Sequence, residues 1–298
     1  MRLISSDEIE STLTFPEVIE TLRRAYRSAT IVPEPARFSI ERTGGNASTM
    51  TMSPAWTNFA LQGHDDRGYI GCSLSIDTAD AKSPASSAYL LMSGKHGQPV
   101  ALLDGIALAG WRHCAQHALA VHYLAREDAT RLLVLGSPPR FAQMLEAYRC
   151  VRDIRSVLFI GDANETCRNL TASSTFPKTT FACTDDIEGA LEGADVICVH
   201  GDGLALLGSH DVQSGVHVDL VNTADELPQR LLEAARLFVG DRHDSIASGL
   251  EDVAADLREL TQGTKAGRRF YGQVTLFMSG DSNGLPDLAT AGHVFLRT

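Results

Sequence analysis

Pro99-Val100-Ala101-Leu102-Leu103-Asp104-Gly105-Ile106-Ala107-Leu108-Ala109-Gly110-Trp111-Arg112-His113 joins two kinds of structure in a single run. Pro99 to Leu103 has the apolar pattern of a strand and Asp104-Gly105 is a turn. The alanine-rich segment from Ile106 to Arg126 has the composition of a helix with little polar surface, so a buried connecting helix is expected there. The chain changes rhythm across this helix, and that change decides the fold.

Upstream, Ser5 or Ser6 can cap a helix whose Asp7, Glu8 and Glu10 suit its positive end, and Phe15-Pro16 opens a second helix reaching about Ser28. From Ala36 to about Met52 the pattern is β-like around Thr43-Gly44-Gly45-Asn46, the signal of a hairpin. Tyr69–Ile76 and Ala88–Met92 are further strands, and Ser93–Gly97 turns the chain into Pro99–Leu103. This third is α+β with a mostly antiparallel sheet. Downstream, Arg131–Leu135 ends in Gly136 and is followed by helix-like Phe141–Val151, then by Ser156–Ile160 and helix-like Glu165–Leu170. Thr179–Ala182, Asp185–Leu191, Asp195–Val199 and Val216–Val221 continue the alternation, which predicts βαβ units and a parallel sheet. Gln273–Phe277 reads as one more strand and Asp287–Phe295 as a closing helix.

A length of 298 residues fits two domains. The net charge of -11 argues against a nucleic-acid or anionic-membrane partner, because phosphates repel such a surface. No uncharged apolar run suits a membrane helix, and the acidic N-terminal stretch lacks the apolar core of a secretory signal, so a cytoplasmic location is expected. Six cysteines without Cys-x-x-Cys spacing read as reduced core thiols. His113 and His117 lie i, i+4 on the connecting helix with no third ligand nearby in sequence, so they read as structural and no metal site is expected. No Ser-His-Asp order, Walker loop or His-Glu-x-x-His run stands out.

The Pro99–His113 run, continued by Ala118–Arg126, closely resembles the ornithine cyclodeaminase/mu-crystallin family. The resemblance extends in order and spacing to Leu132–Gly136, His217–Val221 and Val274–Phe277, and so covers essentially the whole chain. It implies an α/β fold in which a Rossmann-type parallel-sheet domain, 121–278, is inserted in an α+β substrate-binding and dimerisation domain, 1–120 plus 279–298. It also implies a homodimer, an NAD or NADP cofactor, and hydride transfer to or from a small carboxylate-bearing amino or imino acid, or cyclodeamination of ornithine.

By the same resemblance, Arg37 and Arg112 hold the substrate carboxylate, a planar group that a guanidinium fork matches with parallel hydrogen bonds. Met52, Pro54 and Trp56 form the apolar wall of the pocket. Ser73 stands where the family carries a catalytic Lys, and Met278 where it carries a second Lys; a Ser hydroxyl supplies no charge. The catalytic Asp of the cyclodeaminase branch falls at Ala224, with Asp225 one residue away as the candidate replacement. His200, at the end of an apolar strand where such sheets deliver residues to the ligand crevice, is the candidate proton carrier. Gly136, Ser137 and Arg140 are the candidate phosphate-loop residues, but Pro138 and Pro139 remove N–H donors and Phe141 is bulky where a small residue is usual. Asp162, after the second strand, favours ribose hydroxyls, hence NAD over NADP. Two readings stay open: a divergent NAD(H)-linked oxidoreductase or cyclodeaminase, and a dinucleotide-independent descendant, either a dimeric ligand-binding pseudoenzyme or an enzyme of changed chemistry.

Overall fold

The computed structural model describes residues 1–41, 47–61, 68–78, 86–221, 227–242, 250, 252–280 and 284–298. The expected hairpin turn at Thr43–Asn46 and the candidate Asp225 lie outside the described residues. In chain order the first strands and helices are β1 (Arg2–Ile4), α1 (Ser6–Thr12), α2 (Phe15–Arg27), β2 (Thr30–Ile31), β3 (Ala36–Ile40), β4 (Ser48–Thr57), β5 (Tyr69–Thr78), β6 (Ser86–Ser93), β7 (Pro99–Asp104) and α3 (Gly105–Leu124). Then come β8 (Arg131–Leu135), α4 (Phe141–Arg149), β9 (Ser156–Ile160), α5 (Asn164–Ala172), β10 (Thr180–Thr184), α6 (Ile187–Gly193), β11 (Val196–Val199) and α7 (Gly203–Gly208). The last are β12 (His217–Leu220), α8 (Gln229–Ala234), β13 (Arg236–Val239), β14 (Val253–Asp256), α9 (Leu257–Gln262), β15 (Thr275–Met278) and α10 (Gly284–Arg297).

Two compact units result, Met1–Ala115 with Asp281–Thr298, and Gln116–Gly280, so the division falls inside α3. In the first unit, β1-β7-β6-β5-β4-β2 form one sheet with β3 also paired to β4; only the β1–β7 pairing is parallel among the described residues. α1 begins with a reciprocal cap, Ser5 accepting from the Glu8 amide and Glu8 accepting from the Ser5 amide. α2 carries Pro16 in its first turn and buries Phe15, Val18, Ile19, Leu22 and Tyr26, a helical stripe. Asp104 caps α3 by accepting from the Ala107 amide at 2.8 Å. Gly105 follows because a Cβ there would stand 2.7 Å from the Ser87 backbone carbon. The Leu-Asp-Gly segment is thus a strand end, a helix cap and a close backbone crossing.

Directly opposed residues of adjacent strands share a face, so register assigns the two sides of this sheet. Ala55, Gly71, Leu91 and Ala101 align on one side and are buried; α10 packs across β4, β5 and β6 there, with Leu288 against Gly71. The other side carries Phe38, Met50, Met52, Trp56, Ile70, Leu74, Leu90 and Leu102, all of them part-exposed or exposed.

In the second unit, all pairings among the described residues are parallel, in the order β10-β9-β8-β11-β12-β15-β13-β14. Leu133, Leu135, Ile197, Val199, Val218, Leu220, Leu237, Val239 and Leu276 make the apolar core on one side. The alternate residues of β12, His217 and Asp219, face the other way and are fully buried. Such polar groups require partners, since desolvating an unpaired one costs several kcal/mol. Arg152 and Arg268 finish the C-terminal turn of α3: Arg152 donates to the carbonyls of His122, Ala125 and Arg126, and Arg268 to that of Leu124. The expectation of six core thiols is corrected: Cys114 and Cys198 are buried, Cys72, Cys167 and Cys183 are intermediate, and Cys150 is exposed.

His217 carries a titration consequence. Its Nδ1 lies 3.0 Å from the Thr275 hydroxyl, which itself donates to the Leu124 carbonyl, and its Nε2 has no hydrogen-bond partner among the described residues. Burial pushes the imidazole down from 6.5 to about 4; Asp219 opposes the shift, and Arg268 and Arg152 add to it. The unfolded chain takes up this proton near pH 6.5, whereas the folded chain resists until about 4, so stability from the neutral ring is lost as pH falls through that window. The loss attributable to this residue is of the order of 3 kcal/mol. In urea unfolding at pH 7 and pH 4.5, His217→Asn should show a smaller fall in stability than the natural chain; an identical fall would exclude this residue as the source.

Candidate functional site

Within the second unit, the strand order from β10 to β12 is that of a dinucleotide-binding sheet, and its direction of winding reverses between β8 and β11. Ligands of such sheets enter at the carboxyl ends of the strands flanking that reversal. There Gly136 adopts φ +84°, and a Cβ on it would lie 2.0 Å from the carbonyl oxygen of His200. The two strand ends are joined by the His200 amide donating to the Leu135 carbonyl at 2.9 Å, and the turn after β11 is closed by the Gly203 amide donating to the His200 carbonyl at 3.1 Å. The structure therefore brings Gly136 and His200 together as backbone neighbours at the carboxyl ends of β8 and β11.

The loop after Gly136 differs from the steric block that its sequence suggests. Pro138 is buried, and Phe141, at the start of α4, packs on β9 with its ring 5.2 Å from that of Phe159. Ser137, Pro139 and Arg140 are exposed. Arg140 takes a left-handed φ of 57° as the N-cap of α4 and makes no side-chain cap, so the amides at the start of α4 are not satisfied by their own cap residue. Its guanidinium donates to Gln143 at 3.1 Å. Asp162 is exposed beyond β9, where its carboxylate accepts from the Asn164 side chain at 2.8 Å. These residues fit an anionic dinucleotide through helix-terminal amides and one guanidinium rather than through a second and third glycine.

A second polar constellation lies on the side of the same sheet opposite its apolar core, the side that α4 covers. His117 on α3 reaches Asp219 on β12, Nδ1 to Oδ1 at 2.6 Å, and its Nε2 stands 3.1 Å from the Ser279 hydroxyl just beyond β15. Tyr148 on α4 donates to the other Asp219 oxygen at 2.5 Å. Burial first, and then the Asp219 charge, push the Tyr148 phenol well above its ordinary range, so it remains a donor. His117 and Asp219 are fully buried and Ser279 is half-exposed. No ordered Ser-His-Asp motif marks these positions in the sequence. The available signal is physical: an aspartate inside the apolar run His217–Val221 and a histidine inside an alanine-rich helix both demand a buried partner.

In the first unit, Arg37 aligns with Thr51, Ser75 and Ser87 across four strands, and the next row is Ser53, Ser73, Tyr89 and Leu103. Arg37 and Ser73 therefore share a face, forming a hydroxyl-rich ledge with an exposed guanidinium at its edge. Met52 and Trp56, expected as the apolar wall of the same pocket, have the opposite parity on β4 and project from the other side of the sheet. Tyr89 is buried beside Gly71, where a Cβ would meet its hydroxyl at 2.1 Å, and that hydroxyl has no partner among the described residues. Arg112 is buried, and its Nε bonds Asp287 at 2.9 Å, both side chains being nine-tenths buried. Burial raises the Asp287 carboxyl, and Arg112 opposes that rise. Among the described residues no cluster of His, Cys, Asp and Glu could hold a metal ion, and no helix is long and apolar enough to cross a membrane.

The inserted parallel sheet, with its glycine turn at the strand reversal, defines an α/β protein of the Rossmann type. The chain belongs to the ornithine cyclodeaminase/mu-crystallin family, whose model matches residues 2–297. It is 24% identical over 319 residues to a Delta(1)-pyrroline-2-carboxylate reductase of Colwellia psychrerythraea, covering 99% of this chain and 98% of that one. Its fold matches the Thermococcus litoralis Delta(1)-pyrroline-2-carboxylate reductase in complex with NADH and L-proline, with a TM-score of 0.80 at 21% identity over 100% of this chain and 97% of the other. It also matches the iminosuccinate reductase of Paracoccus denitrificans in complex with NAD+, with a TM-score of 0.82 at 21% identity over 99% and 95% of the two chains.

Two substitutions test the geometry directly. Arg112→Ala leaves the Asp287 carboxylate buried opposite no guanidinium, so unfolding free energy should fall by about 3–5 kcal/mol. A change below about 1 kcal/mol in denaturant titration would show that the pair is not a buried ion pair. Gly136→Ala places a methyl against the His200 carbonyl at a φ that L-residues resist, and should cost roughly 1–3 kcal/mol by the same measurement.

Proposed function

We propose that this chain is an NAD(H)-linked oxidoreductase that interconverts a small carboxylate-bearing imino acid and the corresponding amino acid. The observation that carries this reading is the left-handed Gly136 turn at the strand reversal, packed against the His200 backbone. Family membership and the names of the relatives support the substrate class. Bound nicotinamide would supply or accept the hydride. The pyrophosphate would be held by the first amides of α4 and by Arg140, and the adenosine ribose by Asp162, whose charge disfavours a 2′-phosphate. In the first unit, the substrate-binding part of the proposal, Arg37 would hold the substrate carboxylate at the hydroxyl-rich ledge, with Ser73 and Thr51 beside it. Arg112 would act on that ledge through its ion pair with Asp287.

The part-exposed apolar side of the first unit's sheet, with Phe38, Met50, Met52 and Trp56, supports a homodimer in which two copies cover this side. Such an interface should bury more than about 1,600 Å², and sedimentation at micromolar concentration should give twice the chain mass. A monomer would refute it. A second reading, the dinucleotide-independent descendant, is favoured by the prolines at 138 and 139 and by Ser73 and Met278 standing where the family pattern has Lys.

Calorimetric titration separates the two readings. NADH should bind more tightly than NADPH, and Arg140→Ala should weaken NADH about tenfold, the loss of one charge-assisted contact. No heat with any of the four nicotinamide dinucleotides up to about 1 mM, at which binding is worth only about 4 kcal/mol, would sink the oxidoreductase reading.

A further inference from the structure

We propose that Ser279, His117 and Asp219 form a serine nucleophile relay that accepts an acyl group from small esters, an activity separate from dinucleotide chemistry. The residues occur in the order His, Asp, Ser on α3, on β12 and just after β15, all within the second unit. The arrangement is recognised by geometry and role rather than by sequence position.

Three observations carry it. First, both Asp219 oxygens are engaged, Oδ1 by His117 Nδ1 at 2.6 Å and Oδ2 by the Tyr148 hydroxyl at 2.5 Å. With Tyr148 donating to Oδ2, the 2.6 Å contact at Oδ1 is filled by an Nδ1 proton, and the Nε2 lone pair then faces the Ser279 hydroxyl at 3.1 Å. That is the tautomer a general base requires. Second, Ser279 sits at the carboxyl end of a parallel strand and is half-exposed, whereas His117 and Asp219 are fully buried. The nucleophile is reachable and its base is shielded from water. Third, Gly240 keeps clear the space around Ser279: a methyl there would stand 2.9 Å from the Gln116 side-chain nitrogen, 3.5 Å from Ser279 Cα and 3.6 Å from the Gly280 amide nitrogen.

The step balances without an oxidant or reductant. Ser279 Oγ bonds to the acyl carbon as its proton passes to His117 Nε2; the ester C–O bond breaks and the departing alkoxide takes that proton. Water then adds by the same route, releasing a carboxylic acid and restoring the hydroxyl. Ser279 and His117 touch the reacting atoms. Asp219 and Tyr148 are positioning residues that fix the tautomer.

The test uses the full chain and a small alkyl fluorophosphonate, with peptide mapping by mass spectrometry. One adduct per chain is expected on Ser279, formed at least about a hundredfold faster than on the urea-unfolded chain, and absent in Ser279→Ala. Asp219→Asn should slow labelling by about a hundredfold or more and should abolish the downfield Nδ1 proton of His117 in imidazole-¹⁵N spectra, a signature that packing alone would not move. Should that variant unfold, Gly240→Ala, which fills the space by Ser279 while leaving the relay untouched, should also block labelling. The proposal is overturned if the folded chain labels at Ser279 no faster than the unfolded one, or if the natural chain shows the imidazole proton on Nε2. NADH binding is unaffected by any of these outcomes, so the two proposals fail separately.

Discussion

The arrangement of the second unit depends on one buried carboxylate. Asp219 lies on an interior strand of a parallel sheet at zero exposure, where an uncompensated charge would cost far more than the few kcal/mol by which proteins are stable. Its two oxygens are satisfied from two different helices, His117 on α3 and Tyr148 on α4, and His117 extends the connection to Ser279 beyond β15. Sheet, connecting helix and first crossover helix are therefore fixed relative to each other by directional bonds, which apolar packing alone would leave free to slide. Low dielectric strengthens each bond and makes the loss of any one expensive, so the network behaves as a unit.

The chemistry of this unit collects at the carboxyl ends of its strands for a related reason. A parallel sheet places all its strand exits on one edge, and the exits of β8, β11 and β15 deliver Gly136, His200 and Ser279 there. Gly136 tolerates its left-handed φ and its approach to the His200 carbonyl only because it lacks a Cβ. Gly240 works on the same principle one strand further along, beside Ser279. Glycine is used at this edge to make room, first between two loops and then around a hydroxyl.

Much of the fold was legible because its strands are short apolar runs ended by glycine or polar residues. Arg131–Leu135, Ser156–Ile160 and Tyr69–Ile76 fall inside observed strands. β13 and β14 were not read: Arg236–Val239 and Val253–Asp256 are four-residue pieces whose mixed composition gives no periodicity to detect. Helical α9 was equally unmarked, although its Asp256–Glu259 capping box and left-handed Gly263 were available as signals. The site was less legible than the fold. Parity separates Met52 and Trp56 from Arg37, and parity depends on register, which a single strand's sequence does not carry. Likewise His117 meets partners 102 and 162 residues away, and nothing local to α3 indicates them.

Charge balance at the first unit's ledge narrows what it can recognise. Ser73 stands where the family pattern carries Lys, and Arg112 is ion-paired to Asp287 across a buried 2.9 Å bond. Arg37 is an exposed cation on that ledge, in one row with Thr51 and Ser75 and beside the row of Ser53 and Ser73. A ledge of this kind can neutralise one carboxylate through a guanidinium and hydrogen-bond a neutral or imino group through hydroxyls, but it offers little to a second negative charge. A dicarboxylate would bring an extra anion toward neutral donors near the buried Asp287, where repulsion and desolvation both oppose it. Under the proposed function, this balance would favour a monocarboxylate imino or amino acid over a dicarboxylate.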